Sequence, residues 1–324
     1  MVKVRWGVLS TANIARTEVI PAIKRAENAE LVGIASRDER VYRVAKELDI
    51  PRAFVSYEEL LKDDEIDAVY IPLPNHLHKE WVEKAALYGK HVLCEKPVAL
   101  NVAETVDMVN SCAKSNVKFM EAFMYQFHPQ HERVRELISE GAIGEVKLFK
   151  SSHSFHLVNR VGDIRMDAEM GGGSIYDIGC YSIHAARFIL KAEPESIQGF
   201  ANIDSSAKVD TSAYIYMVMD NKVPVLIDCS FDMLDRNEYE IIGTKGKISV
   251  PFAFRPDRNG GVGEIILNSG NRKVTEKVPG DIYKLEIEHF TQCILQDTDP
   301  LNSSMDSINN MKAIEDCYKS INNG

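Results

Sequence analysis

Short apolar runs alternate with segments of helical spacing throughout the first third of the chain. The runs predict buried strands at Val4–Leu9, Leu31–Ala35, Ala53–Val55, Ala68–Ile71 and His91–Cys94. The segments between them predict helices at Ala12–Arg25, Glu39–Leu48, Tyr57–Leu61 and Glu80–Tyr88. Strands that are apolar on both faces and joined by helices form parallel sheets, because a parallel pair needs a crossover connection. Residues 1–120 are therefore predicted to form an α/β domain with a doubly wound parallel sheet, the Rossmann arrangement that binds dinucleotides.

The first of these helices and a further helix carry local sequence signals. Pro21 is expected to kink or interrupt the first helix, because proline has no N–H to donate. Asn101 followed by Glu104 predicts the capped start of a further helix. Its buried face is expected to consist of Val102, Val106 and Val109.

Strands replace helices after about residue 120. Two helical stretches come first, at His131–Glu140 and Gly173–Leu190, and two helices close the chain, at Tyr283–Leu295 and Ser304–Ile321. The consecutive short strands between them predict an antiparallel sheet, and they are expected at Ile197–Ile203, Thr211–Met219, Val223–Phe231, Glu238–Ile242, Lys247–Val250, Glu264–Asn268 and Lys273–Val278. Residues 121–324 are predicted to form an α+β domain for substrate binding and oligomerisation, with an open, mainly antiparallel sheet. The last helices could pack back on the first domain. Both faces of the strand Thr211–Met219 are apolar or aromatic, so it is expected to be covered on both sides.

The composition narrows the classes of partner. The 324 residues carry a net charge of −10 without a basic cluster, which argues against nucleic acid and anionic membranes as partners. None of the six cysteines forms a Cys-x-x-Cys pair, so reduced, buried thiols are expected rather than disulfides or a metal site. No signal peptide and no apolar run of the ~20 residues that span a bilayer is recognised. A cytoplasmic protein with a small-molecule ligand is expected.

The stretch "VRWGVLSTANIAR" has the placement of a phosphate-binding turn between a strand and a helix. Gly7 lies in the strand before the turn, and Ser10 and Ala12 stand where such turns usually carry glycine. The other candidate cofactor contacts of this turn are Thr11, Asn13 and Ile14. By itself this pattern is as typical of a strand–helix turn without a ligand as of a cofactor site. If it binds a cofactor, Ser10 and Ala12 indicate that the turn needs small side chains rather than a positive φ.

The end of the second strand favours NADP over NAD. An NAD site usually has an acidic residue there for the ribose 2′-hydroxyl. Here Ser36 and Arg37 occupy the strand end, with Arg40 one turn further. A hydroxyl and a guanidinium suit a 2′-phosphate, although NAD stays possible.

Two further loops lie at carboxyl ends of strands, where doubly wound sheets bind ligands. "IPLPNHLHKEW" follows one strand, and "HVLCEKPVAL" ends the next with Glu95 and Lys96. A lysine at the end of a buried strand can lower the pKa of a nearby acid or donate to a carbonyl, although a solvated strand end is the plain alternative.

Four motifs in a fixed order carry a family resemblance: "PxPNxxH", "EKP", "EAFMYQFHP" and "GGGSIYDIGCY". Together they resemble the Gfo/Idh/MocA oxidoreductase family across essentially the whole chain. The resemblance is to the branch of dimeric dihydrodiol dehydrogenase, glucose–fructose oxidoreductase and NADP-dependent xylose dehydrogenase. In that branch the family's Asp-x-x-x-His is Asp-x-x-x-Tyr, here Asp177 and Tyr181.

The resemblance implies a reversible hydride transfer between NADP and a sugar, cyclitol or trans-diol at a secondary alcohol or hemiacetal. It implies that Tyr181 is the general acid/base, assisted by Lys96, because a free tyrosine has a pKa near ~10. Asp177 lies four residues before Tyr181, on the same helix face, and would orient the substrate or Lys96. By the same match, the cofactor contacts include Leu73, Pro74, Asn75, His78, Glu95, Arg165 and Tyr283. Gly171, Gly172 and Gly173 would let the backbone approach a ligand closely.

Several alternatives stay open. His184 rivals Tyr181 as proton carrier, and Gln126 stands where relatives commonly have arginine. His153 and His156 lie on a predicted strand that could face substrate or solvent. A non-catalytic NADP sensor and a redox-mediated glycoside hydrolase are the competing functions, and a homodimer or dimer of dimers through the second-domain sheet is the expected assembly.

Overall fold

The computed structural model describes residues 2–323. The chain divides into two compact units. One contains the residues up to 124 together with 283–308, and the other contains 125–282 together with the residues from 309 onward. The helices, in chain order, are α1 (Ile20–Arg25), α2 (Arg40–Glu47), α3 (Tyr57–Leu61), α4 (His78–Leu87), α5 (Val102–Lys114), α6 (Pro129–Ser139), α7 (Cys180–Leu190), α8 (Ile282–Gln296) and α9 (Ser304–Asn323).

A six-stranded parallel sheet forms the centre of the first unit. Its strands are β1 (Val4–Leu9), β2 (Ala29–Ala35), β3 (Arg52–Phe54), β4 (Ala68–Ile71), β5 (His91–Glu95) and β6 (Phe119–Ala122). Their order is β3-β2-β1-β4-β5-β6, with every neighbouring pair parallel. The predicted doubly wound fold is confirmed, and β6 is a strand that the sequence pattern did not predict. The order reverses between β1 and β4, which opens a crevice at the carboxyl ends of those strands.

The start of α5 confirms the capping prediction, but its buried face differs from the expectation. The Asn101 side chain accepts from the Glu104 N–H at 2.8 Å, and the Glu104 carboxylate accepts from the Leu100 N–H at 3.0 Å. Val102, Val106 and Val109 are only half buried, so the expected face was wrong; the buried residues are Thr105, Met108 and Cys112. Threonine can lie in this face because its hydroxyl donates to the Asn101 carbonyl at 3.0 Å, which leaves no unpaired polar group.

The first helix passes Pro21 through a π turn. The turn spans Ala15–Val19, and the Ile20 N–H donates to the Ala15 carbonyl five residues earlier. Pro21 then lies at the beginning of α1, where a missing N–H is tolerated. The interruption expected at this proline therefore takes the form of a one-residue shift in the hydrogen-bond register.

The second unit is built on an eight-stranded sheet. Its strands are β7 (Val146–His156), β8 (Pro194–Ile203), β9 (Asp210–Met219), β10 (Pro224–Ser230), β11 (Asp232–Gly243), β12 (Gly246–Val250), β13 (Val262–Ser269) and β14 (Arg272–Pro279). They are ordered β14-β13-β12-β11-β7-β10-β9-β8, and only the β7–β10 pair is parallel among these neighbours. The predicted mainly antiparallel sheet is confirmed.

One face of this sheet is open in the single chain. Tyr214 and Tyr216 of β9 are 43% and 41% exposed, whereas the residues that alternate with them, such as Ala213 and Ile215, are buried. The expectation that β9 is covered on both sides is therefore wrong for the single chain. Alternation places the two tyrosines on the outer face, and the helices of this unit do not cover them.

Among the described residues, neither a membrane span nor a metal site is found. Within residues 2–323, no helix is both long and apolar enough to cross a bilayer. Over the same residues, no group of three or more histidine, cysteine or acidic side chains is arranged to hold a metal ion.

Candidate active site

The turn after β1 depends on an unusual serine conformation. Ser10 has a φ of 142°, a region that side chains rarely adopt, and Ala12 is not among the described residues with positive φ. The expectation that the turn needs no positive φ is thus wrong for Ser10. Its hydroxyl accepts a hydrogen bond from the Ala12 N–H at 3.0 Å, and this local bond offsets part of the backbone strain. Ser10 therefore makes the sharp bend that glycine makes in other turns of this kind.

The residues after Ser10 form the start of the first helix. The Arg16 N–H donates to the Ala12 carbonyl at 3.1 Å, as a helical bond does. Asn13 and Ile14 therefore lie in the first turn, where backbone N–H groups have no helical partner and can bind a phosphate, and Thr11 lies just before it. Gly7 lies earlier, inside β1, where a Cβ would be 2.7 Å from Leu60 Cδ2. Its absent side chain makes room for the core.

The end of β2 carries two arginines, and one of them is paired with an aspartate. Ser36 is buried, and its N–H donates to the Phe54 carbonyl at 3.0 Å. Arg37 is exposed beside it. Arg40 clasps both carboxylate oxygens of Asp38, with its Nη2 at 2.7 Å from Oδ2. The Asp38 charge, which would repel a phosphate, is thereby neutralised.

Tyr57 is a site residue that the sequence did not reveal. It opens α3, its side chain is largely buried, and its hydroxyl interacts with Ser10 and Arg37. Burial raises the pKa of Tyr57, while Arg37 and Ser10 act in the opposite direction. Tyr57 thus links the turn after β1 with the end of β2. The only signal for it was an aromatic residue at the start of the short helix that follows β3, which is equally typical of a core position.

The loops after β4 and β5 are joined by a buried histidine. The His78 ring is fully buried, with Nε2 at 2.8 Å from the Leu73 carbonyl oxygen and Nδ1 at 3.1 Å from the carbonyl oxygens of Pro97 and Val98. Burial lowers the pKa of His78 to about 4, so the ring is neutral at physiological pH. Lys96 lies in this junction, with a cis peptide bond to Pro97.

Other predicted residues of the first unit lie around the same strand ends. Pro74 and Asn75 lead into a single 3₁₀ turn after Leu73. Glu95 ends β5; its Oε1 accepts from the Tyr70 hydroxyl at 2.5 Å and its Oε2 from the Lys96 N–H at 3.2 Å. Tyr283 is buried at the start of α8.

In the second unit, Asp177 and Tyr181 lie on one helix that begins with a π turn. The turn spans Ile175–Gly179, and Tyr181 follows in the first turn of α7. The Arg165 Nε donates to the Asp177 Oδ2 at 2.7 Å, and Arg165 also contacts Asp163. The Asp177 charge is the largest cause that raises the pKa of Arg165. Arg165, predicted to reach the cofactor, therefore pairs with Asp177.

Aromatic rings surround Tyr181. Its ring centroid lies 5.3 Å from that of His153, 5.6 Å from Phe254 and 5.9 Å from Tyr125. His184 is buried, and its Nδ1 is 2.6 Å from the Tyr125 hydroxyl, so this rival proton carrier is engaged in a hydrogen bond inside the unit.

The two histidines of β7 point to opposite environments. His153 is buried beside Tyr181, and its ring stacks on Phe254 with centroids 4.9 Å apart, whereas His156 is exposed. Gln126 is also buried, and its amide nitrogen has no hydrogen-bond partner among the described residues.

A buried aspartate fixes the start of the helix that carries Asp177 and Tyr181. Asp210 Oδ2 accepts from the Ser174 hydroxyl at 2.6 Å and the Ile175 N–H at 2.8 Å, and Oδ1 accepts from the Tyr318 hydroxyl at 2.7 Å. Burial raises the pKa of Asp210, although these hydrogen bonds act to lower it.

The glycines before this helix let its start pack closely against Asp210 and the Arg165 backbone. A Cβ on Gly173, whose φ is 116°, would lie 2.2 Å from the Asp210 Oδ1. A Cβ on Gly172 would lie 2.6 Å from the Arg165 carbonyl oxygen. The close approach that these glycines permit is thus to the protein itself, where the sequence had suggested a ligand.

Comparisons with known proteins point to the same oxidoreductase family for both units of the chain. Residues 4–123 match the family described as an oxidoreductase family with an NAD-binding Rossmann fold, and residues 131–249 match the GFO/IDH/MocA C-terminal domain. The chain is 39% identical over 321 residues to D-xylose 1-dehydrogenase (NADP(+)) 2 of Haloferax volcanii, and the alignment covers 98% of each chain. It is 32% identical over 308 residues to trans-1,2-dihydrobenzene-1,2-diol dehydrogenase of Xenopus laevis, and the alignment covers 90% of this chain and 89% of the Xenopus enzyme.

A solved structure is similar over almost the same length. A 3-ketoreductase from Actinomadura kijaniata in complex with NADP and TDP-benzene superposes with a TM-score of 0.93 at 29% identity and covers 98% of each chain. Structures of that ketoreductase also include one variant with a tyrosine replaced by phenylalanine and another with a lysine replaced by alanine.

Asp210→Ala is expected to lower the free energy of unfolding by about 3 kcal/mol, because two hydroxyls and one N–H lose their buried acceptor. Asp210→Asn keeps one acceptor oxygen and should lose less. Urea unfolding followed by circular dichroism measures both, with the exposed Asp235→Ala as control. An Asp210→Ala variant as stable as the control would contradict the anchoring role.

Proposed function

The chain belongs to the GFO/IDH/MocA oxidoreductase family, and from this premise we propose that it transfers hydride reversibly between NADP and a ring carbon that carries a hydroxyl. The substrate would be a sugar, cyclitol or trans-diol that reacts at a secondary alcohol or hemiacetal. The observation that carries the proposal is Tyr181, which lies among aromatic rings on the same helix as Asp177, the partner of Arg165. A protein that only sensed NADP would have no use for this arrangement.

The residues of the first unit fit NADP. The first turn of the helix after Ser10 offers unpaired N–H groups to a pyrophosphate, and Arg37 with the Tyr57 hydroxyl offers donors to a 2′-phosphate. Arg40 contributes indirectly, because it neutralises Asp38. Bound NADP would supply the hydride acceptor, and NADPH the donor.

Tyr181 performs the proton transfer in this proposal. Its phenolate oxygen takes the proton of the substrate hydroxyl during oxidation, and the hydroxyl formed in this way returns the proton to the carbonyl oxygen during reduction. A tyrosine with a pKa near ~10 needs a neighbouring positive charge for this role, which we assign to Lys96. Asp177, fixed by Arg165, orients the reacting hydroxyl.

The relatives' names narrow the substrate class. D-Xylose and trans-1,2-dihydrobenzene-1,2-diol both carry hydroxyls on neighbouring ring carbons. Tyr181, His153 and Phe254 supply aromatic surface, which suits the apolar face of such a ring. A vicinal diol or hemiacetal on a six-membered ring is therefore the substrate that we favour.

A homodimer through the outer face of the second sheet is the assembly that we propose. Phe200 pairs across the strands with Tyr214, and Tyr216 pairs with Leu226. Phe200 is 73% and Leu226 42% exposed in the single chain. A continuous patch of large apolar side chains on a soluble unit marks an interaction surface, and a second copy would cover it sheet against sheet.

Tyr181→Phe is expected to reduce kcat by about 10² to 10⁴, because it removes the proton carrier, while NADPH binding stays within about twofold. The measurement is cofactor turnover in a screen of sugars, inositols and diols with NADP and NAD. Tyr176→Phe serves as control, and His184→Asn tests the rival. Full activity in Tyr181→Phe would reject the assignment, and product formation without net redox change would favour the hydrolase.

Arg37→Asp is expected to shift the ratio of kcat/KM for NADP to that for NAD by about 10- to 100-fold toward NAD, because a charged donor to the 2′-phosphate becomes a repelling carboxylate. Tyr57→Phe should shift it in the same direction by less. Arg43→Asp, at an exposed position of α2, is the charge-matched control. An unchanged preference in Arg37→Asp would rule out the 2′-phosphate role.

Tyr216→Glu combined with Leu226→Glu is expected to convert the dimer to a monomer, because the pairing would bury four charges per interface. Sedimentation velocity measures the assembly state, and Leu87→Glu, on an exposed helix position of the first unit, is the control. An unaltered sedimentation coefficient in the double variant would place the interface elsewhere.

A further inference from the structure

Two acids and two tyrosines form a cluster that includes the ends of β4 and β5, in which Glu95 is half buried and the other three side chains are buried. Tyr70 comes from β4, Glu95 from β5, and Tyr283 and Glu286 from α8. The Tyr70 hydroxyl donates to the Glu95 Oε1 at 2.5 Å. Tyr283 and Glu286 are three residues apart, so they share one helix face. All four belong to the first unit.

Glu286 is the acid in this cluster without a stabilising partner. Its side chain is 1% exposed, and its Oε1 is buried without a hydrogen-bond partner among the described residues. An ionised carboxylate in such surroundings costs several kcal/mol, whereas a neutral carboxylic acid costs much less. Burial raises the pKa of Glu286 well above its ordinary value, and the charge of Glu95 raises it further.

The titratable groups that act on this site come from three elements. Glu95 of β5 raises the pKa of Glu286, and Glu286 in turn raises the pKa of Tyr70 of β4, as does Tyr283 of α8. For Tyr70 the largest cause is burial. Glu95 is negative when ionised and therefore favours a proton on Glu286, whereas the two tyrosines are neutral when protonated and supply no positive charge to an ionised Glu286.

We propose that Glu286 is a positioning residue that acts as a neutral carboxylic acid and keeps the Glu95 carboxylate, and through it Lys96, in place. The link to Lys96 is direct, because the Glu95 Oε2 accepts from the Lys96 N–H at 3.2 Å. With Glu286 neutral, the two acids carry one negative charge beside Lys96. A second charge would push the Glu95 carboxylate away and draw the Lys96 ammonium toward the acids. The part of this proposal that concerns catalysis rests on the proposed function of Lys96.

The protonation state can be tested without any activity. The infrared difference spectrum between the wild type and Glu286→Gln at neutral pH should contain the carbonyl band of a protonated carboxylic acid. Glu288→Gln is the matched control on the same helix, because Glu288 pairs with Lys284 and accepts from the Glu27 N–H. It should remove a carboxylate band instead. A carboxylate band in both differences would overturn the proposal.

Thermal stability supplies a second readout. The pKa of Glu286 is raised in the folded state, so its contribution to stability is complete below the ordinary pKa of glutamate and is lost as pH rises through the folded-state pKa. Glutamine has no proton to lose. The Tm of Glu286→Gln should therefore exceed that of the wild type by a margin that grows from about pH 5 to about pH 9. A margin that shrinks with pH would contradict a neutral Glu286.

Kinetics test the positioning role. Glu286→Gln should keep kcat within about twofold at neutral pH and should lose less activity than the wild type at alkaline pH. Glu286→Leu should lower kcat up to about a hundredfold, because small displacements of a catalytic group have effects of this size. A tenfold loss in Glu286→Gln at neutral pH, or a fully active Glu286→Leu, would overturn the role. If no substrate is turned over, the infrared and stability results still decide the protonation state, and the failure then belongs to the proposed function.

Discussion

The reversal of strand order in the parallel sheet determines where chemistry can occur in the first unit. Because β1 and β4 are neighbours but lead their helices to opposite faces, the carboxyl ends of the central strands are left uncovered. The turn at Ser10, the Arg37–Tyr57 contact, the His78 junction and the Glu95–Lys96 end of β5 all lie at carboxyl ends of strands in this sheet. Each is a short irregular segment fixed by a hydrogen bond or a buried side chain. The carboxyl ends of these strands are therefore preorganised without a bound ligand.

Each unit contains a buried acid, and the two acids are accommodated in opposite ways. Asp210 accepts three hydrogen bonds, so it can be buried and still fix the first turn of the helix that carries Asp177. Glu286 has no such donors among the described residues, and a proton is the remaining way to avoid an uncompensated charge. The first solution orders a helix start, and the second leaves a single negative charge beside Lys96.

Hydrophobic periodicity and ordered motifs predicted the sheet types and most element bounds, because these depend on local spacing. β6 was not predicted, because its four residues directly precede the change in pattern. The role of Asp210 could not be predicted, since its partner Tyr318 lies 108 residues away and no local pattern joins them. The contact of Tyr57 with Ser10 and Arg37 was missed because such a tyrosine and a core tyrosine look alike in sequence. The positive φ of Ser10 contradicts the ordinary preference of serine.

The first helix of the chain and the helix that carries Asp177 and Tyr181 share a feature that sequence spacing cannot show. Each contains a π turn near its start, at Ala15–Val19 and at Ile175–Gly179, and such turns are frequent at functional sites. In an α-helix, residues four apart lie slightly more than one turn apart. In the wider π turn the same four residues span less than one turn, so the relation between Asp177 and Tyr181 differs from the one that ordinary helix geometry predicts. The extra residue also changes which carbonyl each N–H can reach, as the bond from Ile20 to Ala15 demonstrates. The direction of Tyr181 relative to Asp177 is therefore set by this register shift, and the anchoring of the helix start by Asp210 holds it there.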